Sequence, residues 1–162
     1  MKSELLDLIN DCTAEINDIE SRISTLPALD KAVRYLTHYA LIKASGTVEF
    51  VYRSIVADYF SQLSNSRIDT YLDSAIRKGS MSAKYEVMCG LLGKFDDKWQ
   101  KDFKAAVNSR TDKQKLIDAS NSLVTNRHNF AHGKMPTATF NDIKLYYFDV
   151  LELIKIFDSI VC

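Results

Sequence analysis

The chain has 162 residues, 46% of them hydrophobic, with 21 acidic and 21 basic side chains and a formal net charge of zero. That apolar share is enough to build the core of one domain without disulfide or metal staples, and the charge balance excludes a global basic field that would draw in nucleic acid. The three cysteines, Cys12, Cys89 and Cys162, are too widely spaced for a zinc or redox motif and suit a reducing, intracellular setting.

In chain order, the opening "MKSELLDLINDC" mixes charges into an amphipathic pattern, so a soluble, cytoplasmic protein with no membrane contact is expected. Only two prolines and five glycines punctuate the chain, and the intervals between them repeat near 3.6 residues, which predicts an all-α fold. We expect an antiparallel bundle of about five to seven helices in one domain over 1–162, with 1–26 as an N-terminal helix and 27–162 as the core. The first helix carries the stripe Leu5, Leu8, Ile9, Cys12, Ile16, Ile19 and Ile23, and Pro27 sits where the next helix would take its first residue. A long helix over 28–63 follows, with Ile42, Tyr52, Val56, Tyr59 and Phe60 on its apolar face and Ser45 and Glu49 on the same side. A short helix at 67–77, a loop "KGSMSAK", and short helices at 85–92 and 96–107 come next, the last opened by Asp96 and Asp97. Thr111 or Asp112 caps a further helix that Gly133 and Pro136 end, and an apolar helix at 141–160 belongs in the core.

The end of that penultimate helix reads "TNRHNFAHGK". At about 100° per residue, Leu116, Ser120, Leu123, Val124, Phe130 and Ala131 share one face, and Arg127 falls in its middle. An arginine at that position needs an acidic or phosphate partner, because burying an unpaired charge costs several kcal/mol (on the order of 3–5). Glu49, facing inward from the long helix, is the expected partner. His128 and His132 are four residues apart and share a second face beside the arginine. At the helix end His132 has room to exchange protons with a substrate. Asn129 lies farthest from the packed face.

Arginine, four residues, then histidine, with a polar residue directly after the arginine and a glycine closing the helix, resembles the signature of the HEPN superfamily. The segments "ASGTVEFVYR" (44–53) and "KYEVMCGLLGKFDDKWQKDF" (84–103) resemble its RiboL-PSP-like branch, so the resemblance runs from about Tyr35 onward. It implies a metal-independent endoribonuclease without cofactor, acting on RNA as a homodimer whose motifs face each other, in phage defence or a toxin–antitoxin system. On this resemblance Arg127 polarises the scissile phosphate and His132 is general acid or base. His128 and Asn129 support them, Lys134 adds RNA-binding charge, and an antitoxin or other regulatory protein would restrain the enzyme. Some HEPN proteins carry a tyrosine shortly after the motif histidine as a target for nucleotide transfer; here Gly133, Lys134 and Met135 follow, so that mode of control is not implied.

Blander readings stand beside these. Arg127 can serve as an ion pair that only fixes helix register, His132 as a plain helix cap, and Glu49 as structural support. His38 is expected to be packed, the Phe95, Trp99, Phe103 stripe to be core, and Lys94, Lys98, Lys101, Lys104 and Arg110 to be ordinary surface. Two other functions remain open: an inactive module that binds RNA, a nucleotide or a protein, and a structural dimerisation domain.

Overall fold

The computed structural model describes residues 1–27, 29–62 and 66–161, and among these the regular structure is entirely helical. The helices are α1 (Ser3–Ser24), α2 (Lys31–Ser61), α3 (Ser66–Leu72), α4 (Tyr85–Phe95), α5 (Asp97–Asn108), α6 (Lys113–Ala131) and α7 (Phe140–Val161). A π turn at Asp73–Arg77 continues α3, closed by the Lys78 N–H donating to the Asp73 carbonyl at 3.0 Å, and Arg77 pairs with Asp58 of α2. Residues 28, 63, 64, 65 and 162, on which the expected ends of the second helix and Cys162 fall, lie outside the described residues.

Cross-links fix the directions. Met1 meets Asp158 and Glu20 meets Lys144, so α1 and α7 are antiparallel. Glu15 pairs with Lys43 while Lys2 pairs with Asp58, which makes α1 and α2 antiparallel. Arg110, just before α6, reaches Glu152 and Lys115 reaches Asp149, running α6 against α7 in the same sense. α7 is the central helix, packed on α2, α6 and α5, and its Phe157 is buried edge-on to both Tyr52 and Phe103. Burial of a side chain of that size contributes about 1.5–3 kcal/mol, and the pooled apolar residues form a single cluster. The α1 stripe joins it as expected, with Leu5, Cys12, Ile16 and Ile19 buried and Leu8, Ile9 and Ile23 partly so. Burial pushes the Cys12 and Cys89 thiols up from their ordinary range, so both stay protonated near neutrality.

Several local expectations need correction. Pro27 does not open a helix; the Asp30 side chain accepts from the Ala32 N–H at 2.8 Å and α2 begins at Lys31. Asp112 precedes α6 but does not cap it, because its carboxylate takes two bonds from Arg110 at 2.8 and 2.9 Å. Ile42 is exposed rather than on the apolar face of α2, while Tyr52 and Val56 are buried there. Phe95 stacks on Phe60 at 4.7 Å, Trp99 meets Tyr59 at 5.0 Å and Phe103 is buried, so that stripe is packing. No described helix is long and apolar enough to cross a membrane.

Candidate active site

α6 buries Leu116, Ala119, Ser120, Leu123, Val124 and Asn126, and none of its residues beyond Asn126 is buried. The angular prediction for Arg127, Phe130 and Ala131 is sound, but their burial is not: Phe130 and Ala131 are exposed and the Arg127 side chain is 42% exposed. The reason lies in tertiary structure. A helix face stays dry only as far as another element covers it, and beyond Val124 this face meets Glu49 and His38 of α2. The ring of Phe130 packs on that of His38 at 4.6 Å, and His38 is a partly buried packing residue.

The helix end is closed by a Schellman arrangement. The Lys134 N–H donates to the Asn129 carbonyl at 2.8 Å and the Gly133 N–H to the Phe130 carbonyl at 3.1 Å, with Gly133 at φ 72°. His132 is the last residue before that turn, and its N–H donates to the His128 and Asn129 carbonyls at 3.1 and 3.2 Å. Its ring lies 4.3 Å from the ring of His128, and both residues are exposed, as is Lys134. Asn129, expected to lie farthest from the packed face, is instead partly covered.

Arg127 meets Glu49 as expected. One guanidinium nitrogen lies 3.5 Å from Glu49 Oε2, and the carboxylate side chain is only 10% exposed. The pair is therefore buried on one side and open on the other. Burial raises the Glu49 carboxyl above its ordinary range, an effect opposed by Arg127, then Arg53, then the Ala83 backbone. Glu49 Oε1 completes no hydrogen bond among the described residues even with that amide nearby, and neither does the Oγ of Ser45, one turn earlier on α2. The carboxylate thus holds Arg127 by a single long contact.

Sequence reasoning passed over Asn126. Its buried amide donates to the Ser122 carbonyl at 2.9 Å, and its oxygen accepts from the Thr137 and Ala138 backbones at 2.9 and 3.0 Å. This clamp folds the segment after Gly133 back beside the helix, and a reciprocal box between Thr139 and Asp142 then starts α7. A polar residue directly before the motif arginine was the only signal available. A cleft of about 430 Å³ lies away from this helix end, between α1 and α7, lined by Leu6, Ile9 and Phe148 among others. Among the described residues no group of three or more His, Cys, Asp or Glu side chains could hold a metal ion.

No curated protein and no solved structure shows a significant match to the chain. The family model described as RiboL-PSP-HEPN matches residues 7–162. An all-helical chain carrying an arginine and a histidine five residues apart at the exposed end of α6, matched over nearly its whole length, belongs to the RiboL-PSP-HEPN family.

Proposed function

We propose that the protein is a metal-independent endoribonuclease whose active surface is the end of α6, completed by the same surface of a second copy. The observation that carries this reading is the joint placement of Arg127, His128 and His132 on an exposed helix end with the arginine anchored by Glu49. RNA supplies its own nucleophile. The 2′-hydroxyl attacks phosphorus, one imidazole takes its proton, the bond from phosphorus to the 5′-oxygen breaks, and a second imidazole protonates that oxygen. The products are a 2′,3′-cyclic phosphate and a 5′-hydroxyl. Arg127 binds the non-bridging oxygens and stabilises their growing charge, using a planar fork that lysine lacks. His132 is the acid or base; its copy in the second chain, or His128 beside it, takes the complementary role. Asn129 supports His128 in holding the phosphate or tuning the imidazole, and Lys134 adds charge for the RNA backbone. A role in phage defence or a toxin–antitoxin system, with a restraining partner protein, completes the proposal.

The test is incubation of the purified protein with mixed cellular RNA in excess chelator, beside His132→Ala of matched oligomeric state. Cleavage by the parent alone, leaving cyclic-phosphate ends, is the expected result. RNA binding without cleavage by either protein would replace this reading with that of a binding module.

A further inference from the structure

Arg53 stands apart from its surroundings. Residues 51–57 of α2 are buried except at this position, where a charged side chain emerges. Its Nε donates to the Glu49 carbonyl one turn back at 2.8 Å, and its terminal amino groups have no hydrogen-bond or ion-pair partner among the described residues. Other arginines are committed to carboxylates: Arg22 to Asp18, Arg77 to Asp58 and Arg110 to Asp112. Arg53 instead lies one turn after Glu49, bonded to its main-chain carbonyl, where its charge favours the ionised carboxylate, as that of Arg127 does from the other helix.

We propose that Arg53 and Arg127 together form a two-armed receptor for one phosphate group, with Glu49 as the pivot that spaces them. Two guanidinium groups around one carboxylate leave a single positive charge, which one phosphodiester anion neutralises. The hydrogen bond through Nε holds the Arg53 fork in place and leaves both terminal amino groups to donate, the bidentate geometry that suits phosphate oxygens. Arg127 contributes its remaining donors, since its contact with Glu49 uses one nitrogen at 3.5 Å. Oε1 of Glu49 completes no hydrogen bond among the described residues and Oε2 meets Arg127 only at 3.5 Å, so the carboxylate leaves the guanidinium donors free for an anion. Identifying that phosphate with the scissile group of RNA rests on the nuclease reading; the receptor itself does not.

The two are separable by experiment. Titrating the parent with inorganic phosphate, while following the side-chain Nε–H resonances of Arg53 and Arg127, is expected to move both with one shared dissociation constant. His132→Ala, which the nuclease reading makes inactive, is expected to bind phosphate like the parent. Arg53→Gln should weaken phosphate binding at least tenfold, and Arg53→Lys, which keeps the charge but not the fork, should weaken it less; Lys101→Gln on the α5 surface should change nothing. If Arg53→Gln fails to fold, the resonances of the parent still decide. An Arg53 resonance that stays fixed while Arg127 saturates, or parent-like affinity in folded Arg53→Gln, would overturn the receptor and leave the nuclease standing. Shared phosphate binding in a protein that never cleaves RNA would do the reverse.

Discussion

Glu49 is the residue on which the site's electrostatics turn. Its carboxyl is held above the ordinary carboxylate range, so the folded chain binds that proton more tightly than the unfolded chain. The stability this contributes is therefore full below the unfolded-state pKa and is lost as pH rises through the higher folded value. In Glu49→Gln the side chain carries no proton to lose. Denaturation midpoints followed from about pH 4 to neutrality should fall less steeply in the variant than in the parent, and identical slopes would show that Glu49 does not titrate in this window. Because the Arg127 side chain is 42% exposed, solvent screens the pair, and its loss costs only about 1 kcal/mol or less. Cleavage should suffer more than folding: an unanchored Arg127 is expected to lower kcat/KM by about tenfold.

At the scale of the element, the decisive feature is how α6 stops. Gly133 adopts φ 72°, and a Cβ built there would meet no atom within 4 Å, so Gly133→Ala tests backbone conformation without a clash. A side chain in the left-handed region costs about 1 kcal/mol, which for a domain of this size lowers Tm by about 2–4 °C. Since His132 is the residue that enters the turn, cleavage below the melting range should also drop. Gly133→Asn, better tolerated in that conformation, should recover part of both losses. If Gly133→Ala melted and cleaved like the parent, the turn would not be what places His132. The position of this helix end was legible in the sequence because glycine, a nearby proline and the end of an apolar period coincide there. Its lack of cover was not, since periodicity gives the direction of a side chain and says nothing about whether another element lies opposite it.

For the whole molecule, zero net charge conceals segregation. α1 carries Glu4, Asp7, Asp11, Glu15, Asp18 and Glu20 against a single Arg22, whereas the end of α6 presents Arg127 and Lys134 beside His128 and His132 with no acidic residue from 127 to 134. Two such ends brought together would make a local positive field that the composition of one chain does not disclose. If the active surface is shared between copies, mixing Arg127→Ala with His132→Ala chains under subunit exchange should restore cleavage above that of either variant alone. Cleavage that stays at the level of the separate variants would place all the required groups within one chain.

The amino-acid sequence by itself determined the helical class, most helix boundaries to within a few residues, and the pairing of Arg127 with Glu49. Each is set by local periodicity, by turn chemistry or by the need of an inward charge for an opposite one. Tertiary structure alone decided that Arg127 is half open to solvent and that Asn126 clamps the returning segment. Those facts depend on which other parts of the chain lie beside the end of α6, a property of the packed molecule to which the pattern along one helix is blind.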